Sequence, residues 1–292
     1  MSKYRRRPQC SSDAVHHLVK ETGATHLLYD GRNQALAQAS LQHGSKFDIV
    51  PLATAEIWHS FLLQATDWTR SLSPLDEADT LAIIFHTSGS TGLPKPIYQT
   101  HRVWTRSLPC KPGSAAYTTT PLYHGGASDF LRALMSKSGL YFFTSERPIT
   151  APNVLASLGA CPPIAYFLAV PFVLKLLAED VKARQKLAEM DMISVGGAPL
   201  PEEIGDRMVK EYKWKLVSRM GSAECGCTVL SLASVDSISH KLISVLMSSW
   251  RDFETDKEWS YLRNEGSLLT FEKHEKDIAE LVVDSTWPTL VS

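Results

Sequence analysis

The residues best suited to chemistry form one short run, Thr87-Ser88-Gly89-Ser90-Thr91-Gly92-Leu93-Pro94-Lys95. Its glycines allow backbone N–H groups to approach an anion, its hydroxyl groups donate further hydrogen bonds, and its lysine neutralises negative charge. An apolar run at 80–85 leads into it and predicts a strand that is buried on both faces. The combination predicts a polyphosphate site. A flexible serine–glycine loop without a ligand is the alternative.

The Walker A loop is another phosphate-binding motif, and it fits this run poorly. That motif has a glycine directly before its lysine and a serine or threonine directly after it. Here Pro94 precedes Lys95 and Pro96 follows it, so the hydroxyl that would bind a metal is missing. The two prolines therefore disfavour a P-loop NTPase.

Three later segments place chemically useful residues in turns. They are Thr120-Pro121-Leu122-Tyr123-His124-Gly125-Gly126, Ser194-Val195-Gly196-Gly197-Ala198-Pro199-Leu200 and Arg219-Met220-Gly221-Ser222-Ala223-Glu224. Each has a plain explanation when taken alone. His124 would cap a turn, and Gly196 with Gly197 would link a strand to a helix. Glu224 would be a solvated surface charge. These explanations weaken because the segments occur together.

All four segments, in this order, resemble the motifs of the adenylate-forming superfamily, which includes acyl-CoA synthetases, luciferases and the adenylation domains of nonribosomal peptide synthetases. The run at 87–95 is similar to the family's phosphate loop along its full length. The segment 279–283 resembles the start of the next conserved block. Residues 221–226 and 252–259 are most similar to fungal nonribosomal-peptide-synthetase-like enzymes and to carboxylate or aminoadipate reductases.

The resemblance implies that a carboxylate and Mg-ATP react to give an acyl-adenylate and pyrophosphate. Catalysis would then consist mainly of positioning and electrostatic stabilisation. The implied partner is a small carboxylic acid, with a phosphopantetheine carrier domain in full-length relatives. The implied roles are ATP phosphate binding by Thr87, Ser88, Gly89, Ser90, Thr91, Gly92 and Lys95, adenine contact by Gly196, Gly197, Ala198, Met220 and Gly221, Mg²⁺ binding by Glu224, and catalysis by His124 beside the substrate together with Lys95.

Several positions depart from the family's pattern. Met220 stands where an aromatic residue often stacks on adenine, and Ala223 replaces a hydroxyl residue. Residues 227–245 interrupt the pattern and are rich in Ser, Leu and Val. A retained intron and a natural surface loop explain this interruption equally well, and the cDNA sequence would decide between them.

The resemblance also leads us to expect a partial adenylation domain over residues 1–292. The ribose-binding aspartate, the C-terminal lobe with its adenylation lysine, the carrier domain and the reductase domain are expected to be absent. Carboxylate-dependent pyrophosphate exchange should then be weak or undetectable. A non-catalytic remnant that binds nucleotide, or binds nothing, is the alternative function.

The elements that must position these segments alternate along the chain. The predicted strands are 25–29, 47–50, 80–85, 115–119, 140–143, 164–168, 192–195 and 216–218. The predicted helices are 14–23, 33–41, 55–63, 127–135, 154–158, 171–178 and 201–212. Alternation of this kind predicts an α/β fold with largely parallel sheets covered by helices. A hairpin of 268–271 and 278–283 gives the C-terminal end a β-rich character.

Composition excludes several classes of protein. The 292 residues contain 30 Lys and Arg against 31 Asp and Glu, a formal charge of −1, so neither a nucleic-acid binder nor an acidic disordered chain is indicated. Five prolines interrupt the uncharged stretch 148–174, which argues against a membrane span. Of the five cysteines, Cys225 and Cys227 are close together in the sequence. No second pair of cysteines lies near them, which disfavours a zinc site. With no signal peptide predicted, the expected location is the cytoplasm.

Overall fold

The computed structural model describes residues 10–41, 47–64, 79–87, 92–101, 114–123, 125–135, 137–144, 146–220, 247–248, 269–275 and 278–283. The helices are α1 Ser12–Thr22, α2 Gln34–Leu41, α3 Ala55–Gln64, α4 Gly125–Met135, α5 Ala151–Gly159, α6 Pro171–Ala178, α7 Val181–Ala188 and α8 Glu202–Lys210. The strands are β1 His26–Tyr29, β2 Asp48–Pro51, β3 Leu81–His86, β4 Pro96–Thr100, β5 Ala116–Thr118, β6 Leu140–Phe142, β7 Tyr166–Ala169, β8 Met192–Val195, β9 Leu216–Met220, β10 Met247–Ser248, β11 Leu269–Glu275 and β12 Ile278–Val283. The chain divides into two compact units, one of residues 1–78 with 84–98 and the other of residues 79–83 with 99–292.

The first unit begins with a helix whose two ends are set by its sequence. Ser11 accepts a hydrogen bond from the Ala14 N–H at 3.2 Å, and Gly23 ends α1 in the left-handed region at φ 65°. Both are the residue types preferred at those positions. After α1, β1 pairs in parallel with β2, and α2 forms the crossover between them.

The strand before the predicted phosphate loop differs from expectation. β3 pairs with β4 in a two-stranded sheet, and its first three residues are exposed, with Leu81 at 51% and Ile83 at 40%. The prediction of a strand buried on both faces is therefore wrong. The physical reason is the pairing, because a two-stranded sheet has no neighbours to bury its strands as a central parallel strand would be.

The second unit contains a six-stranded sheet in the order β10-β9-β8-β7-β5-β6. The pairs β5–β6, β5–β7, β7–β8 and β8–β9 are parallel, and β10 is antiparallel to β9. Every residue of β7 and β8 is buried, as continuous apolar runs in parallel strands predict. This arrangement confirms the α/β fold class with a parallel sheet flanked by helices.

The main hydrophobic core lies on one face of this sheet. Strand residues of that face pack against apolar residues of α5 to α8, and Tyr117 stacks on Phe167 with ring centroids 5.7 Å apart. The Tyr117 hydroxyl donates to Ser157 Oγ at 2.7 Å, and burial raises the pKa of Tyr117. A smaller apolar cluster occupies the other face and consists of Ala116, Tyr166, Leu168, Met192 and Val217.

One helix of this core was not predicted. α7 begins at an N-cap, Asp180, whose carboxylate accepts from the Ala183 N–H at 3.0 Å. Only Ala183 and Leu187 of α7 are buried, and charged residues separate them. An apolar pattern of two residues is too sparse to indicate a helix from periodicity. The predicted C-terminal hairpin is present as β11 and β12.

No helix in the described part of the chain is both long enough and apolar enough to cross a membrane.

Candidate active site

The predicted phosphate loop is closed at its base by two hydrogen bonds between its first and last residues. The Thr87 N–H donates to the Lys95 carbonyl at 3.0 Å, and the Lys95 N–H donates to Thr87 Oγ1 at 3.1 Å. Both residues belong to the first unit, where β3 ends and β4 begins. These two hydrogen bonds hold the end of β3 and the start of β4 side by side at Thr87 and Lys95. The four residues Ser88, Gly89, Ser90 and Thr91 lie outside the described part of the structure.

Lys95 is exposed and directly precedes β4. It forms no ion pair with any residue that the structure describes. An ammonium group in this position can be neutralised by an incoming anion without breaking an internal contact. Gly92 is exposed too, and a Cβ added there would meet no atom of the described residues within 4 Å.

The glycine turn, residues 196–199, follows β8 in the second unit and uses its two glycines for different reasons. Gly197 has φ +86°, a conformation that residues with a Cβ rarely adopt. A Cβ on Gly196 would lie 2.8 Å from Arg219 Cγ and 3.1 Å from the Arg219 carbonyl oxygen. Gly197 and Ala198 are exposed. They lie beyond the carboxyl end of a parallel strand, where ligands of open α/β sheets bind.

The tight entry into α4 also requires a glycine, at the second residue of the helix. The Gly126 N–H donates to the Pro121 carbonyl at 3.2 Å, and a Cβ on Gly126 would lie 2.6 Å from that same oxygen and closer still to the Thr120 carbonyl. The chain therefore folds back tightly between Pro121 and Gly126. His124, the predicted substrate-facing residue, is inside this turn but outside the described residues.

The last predicted segment begins at the end of β9. The backbone of Met220 completes that strand, while its side chain, Gly221 and Glu224 lie outside the described residues, as does the interruption at 227–245. Within the ranges that are described, no group of three His, Cys, Asp or Glu side chains is placed to hold a metal ion. The predicted Mg²⁺ ligand and the adenine contact of Met220 thus stay predictions.

A buried polar network that sequence reasoning missed joins β5, α4 and β9. Arg219 Nη1 lies 3.4 Å from Asp129 Oδ1, with side-chain exposures of 8% and 0%. Thr118 Oγ1 donates to Asp129 Oδ2 at 3.1 Å, and the Thr120 N–H donates to Thr118 Oγ1 at 3.1 Å. One feature of the sequence points to this network. Asp129 lies three residues after Gly126 and four before Ala133, so it shares a helix face with these two buried residues.

Comparison with known proteins covers most of the chain. A family model described as AMP-binding enzyme matches residues 6–248. The chain is 26% identical over 302 residues to the adenylate-forming reductase Nps10 of Heterobasidion annosum, covering 96% of this chain and 26% of that protein. It is 25% identical over 242 residues to the adenylate-forming reductase stbB of Stachybotrys bisbyi, covering 78% of this chain and 22% of that protein. The chain therefore spans about a quarter of the length of these relatives.

The fold is shared with solved structures at low sequence identity. ATP-bound MatB from Rhodopseudomonas palustris superposes with a TM-score of 0.56 at 16% identity, covering 75% of this chain and 44% of that one. At this identity the likeness concerns the fold alone.

Proposed function

Because the chain belongs to the AMP-binding enzyme family, we propose that it takes part in ATP-dependent activation of a carboxylic acid. Membership confirms the resemblance to adenylate-forming enzymes, and the similarity to Nps10 and stbB confirms the resemblance to fungal adenylate-forming reductases. The observation that carries the proposal is the closed base of the loop at 87–95 with the exposed Lys95 ammonium beside it.

The proposed reaction joins an acid to the α-phosphate of ATP. A carboxylate oxygen attacks the α-phosphorus, the bond from that phosphorus to the oxygen bridging to the β-phosphate breaks, and pyrophosphate leaves. Thr87 and Lys95 would bind the β- and γ-phosphates, together with the loop residues between them. The Lys95 charge would stabilise the negative charge that builds up on the leaving group.

The remaining residues would orient the other parts of the reactants. Gly196, Gly197 and Ala198 would form the surface against which adenine lies, which suits the exposed backbone of that turn. His124 would face the carboxylic acid. Mg²⁺, held by Glu224, would neutralise phosphate charge. Residues 1–292 would form part of an AMP-binding domain, with 227–245 as either an insertion or a retained intron. The proposed partner for the acyl group in full-length relatives is a phosphopantetheine carrier domain.

Replacement of Lys95 tests nucleotide binding directly. Lys95→Ala should weaken Mg-ATP binding by about 10-fold or more, because a charge-assisted hydrogen bond contributes about 1.5–3 kcal/mol. The measurement is a calorimetric titration of the whole chain. Lys182→Ala, at an exposed lysine of α7, is the matched control and should bind ATP as the wild type does. Identical titrations for wild type and Lys95→Ala would mean that the loop does not bind phosphate.

Carboxylate-dependent exchange of labelled pyrophosphate into ATP tests the chemistry separately. The expected exchange is weak, and even weak exchange that depends on both an added acid and Lys95 would support activation of a carboxylate. ATP binding without exchange for any of a panel of acids would favour the alternative of a nucleotide-binding remnant.

A further inference from the structure

We infer that the buried ion pair between Asp129 and Arg219 is a positioning element, which holds the substrate-side turn (residues 119–123) and the glycine turn in fixed relation. The inference rests on the proposed function, because these two turns would carry the acid and the adenine. Neither residue is assigned a contact with substrate. Both act through the backbone segments that they connect.

The Asp129 side of the pair reaches the substrate-side turn. Its Oδ2 accepts from Thr118 Oγ1, and the same hydroxyl oxygen accepts from the Thr120 N–H, both at 3.1 Å. The carboxylate therefore sets the position of the hydroxyl that orients the first peptide group of the turn. Since Asp129 lies in the second turn of α4, it also fixes that helix against the end of β5.

The Arg219 side of the pair reaches the glycine turn. The Arg219 Cγ occupies the space that a Cβ on Gly196 would need, at 2.8 Å. From there the side chain extends to Asp129, where Nη1 lies 3.4 Å from Oδ1. One arginine thus packs on the first residue of the glycine turn and ends on the helix that follows the substrate-side turn.

The surroundings of the pair argue for a role beyond stability. The cluster on this face of the sheet is mainly apolar, with Leu168, Met192 and Val217 fully or almost fully buried, and Ser194 of β8 is a buried polar residue beside them. Well-packed hydrophobic residues often replace a buried ion pair without loss of stability, because both charges must be removed from water. A charge pair, unlike two leucines, fixes direction and distance between its partners. That property is what two separate turns would need in order to present their backbones to one ligand.

Hydrogen exchange of the unliganded chain tests this inference without nucleotide. Asp129→Asn should speed amide exchange about 10-fold or more in peptides covering 118–123 and 194–198, with little change in α6 and α7. The matched control is Asp206→Asn, which removes the same charge from the partly exposed pair with Lys210 at 3.1 Å. That variant should leave both turns unchanged. Asp129→Glu, which keeps the charge, should restore part of the protection.

Other patterns of hydrogen exchange would overturn the inference. Uniform acceleration across all peptides of Asp129→Asn would show that the pair contributes only to global stability, and would overturn the inference. If Asp129→Asn does not fold, Thr118→Val removes only the hydroxyl link. It should then speed exchange at 119–123 alone, and unchanged exchange there would overturn the inference as well.

A Mg-ATP titration of the same variants separates this inference from the proposed function. Asp129→Asn should weaken ATP binding at least 5-fold at a temperature where it is fully folded, while Asp206→Asn should not. ATP binding equal to that of the wild type, despite local changes in exchange, would overturn the positioning role. If the wild type itself does not bind ATP, the proposed function fails, and the exchange data alone decide whether the pair holds the two turns.

Discussion

Gly197 of the candidate site restricts substitution through its backbone conformation. Its φ of +86° and its exposure in the glycine turn mean that the restriction is conformational and does not come from packing, since a Cβ there would meet only Val170 Cγ1 at an ordinary 3.6 Å. The loss of stability on replacing Gly197 should therefore be close to the free energy needed to place an L-residue in the left-handed region.

Replacing Gly197 with alanine should lower the free energy of unfolding by about 1–2 kcal/mol. Gly159→Ala is the control, because Gly159 ends α5, has no positive φ and has open space at its Cβ. That change should be neutral or stabilising by up to about 1 kcal/mol. Urea unfolding of the two variants measures the difference. Equal losses would contradict the conformational explanation.

Single residues also show which parts of the site could be predicted from the sequence. Gly196 and Gly197 could be assigned to a turn because their motif is local and consists of consecutive residues. Asp129 and Arg219 could not be paired, because they are 90 positions apart and each looks like an ordinary charge in its own segment. Only the fold brings them within 3.4 Å of each other. The family resemblance supplied roles for the motifs and none for this pair.

For helices and strands, the clarity of the apolar pattern determined which elements could be predicted from the sequence. Helix α6 at Pro171–Ala178 and strand β8 at Met192–Val195 have the predicted limits, because a proline at N1 or an apolar run marks them clearly. Helix α7 was missed for lack of an apolar stripe. The burial of β3 was wrong because an apolar run does not reveal how many neighbours a strand has.

Helix α7 relies on its N-cap more than its neighbours do. Asp180→Ala removes the acceptor for the Ala183 N–H and should lower the free energy of unfolding by about 1 kcal/mol. Asp180→Asn keeps an acceptor at the same place and should cost little, since the two residues cap helices about equally well. Thermal unfolding of both variants distinguishes capping from the loss of charge. A similar loss in Asp180→Asn would point to charge instead.

At the scale of the whole molecule, protection against hydrogen exchange should follow the burial of the strands. β7 and β8 are central in the six-stranded sheet and buried at every residue, whereas β1 and β2 form a two-stranded sheet among the described strands and are half exposed. The slowest amides should therefore lie in β7 and β8, opening only with global unfolding. Slower exchange in β1 and β2 would show that stability is distributed differently from burial.

The fold class could be predicted for the whole molecule because alternating strands and helices restrict topology severely. The strand order could not, since β5 lies between β6 and β7, both of which come later in the chain. Which strand enters the middle of a sheet depends on packing between distant segments. The alternation of strands and helices along the sequence does not indicate this packing, so it does not predict the strand order.

That strand order also has a consequence for synthesis on the ribosome. β5 is made before either of its neighbours, and the parallel part of the sheet is complete only when β9, ending at Met220, has emerged. At about 5–20 residues per second, the edges of β5 stay open for several seconds of translation. An unpaired apolar strand is a template for pairing with another chain. Nascent chains shorter than about 220 residues are therefore the form of this protein most in need of a chaperone.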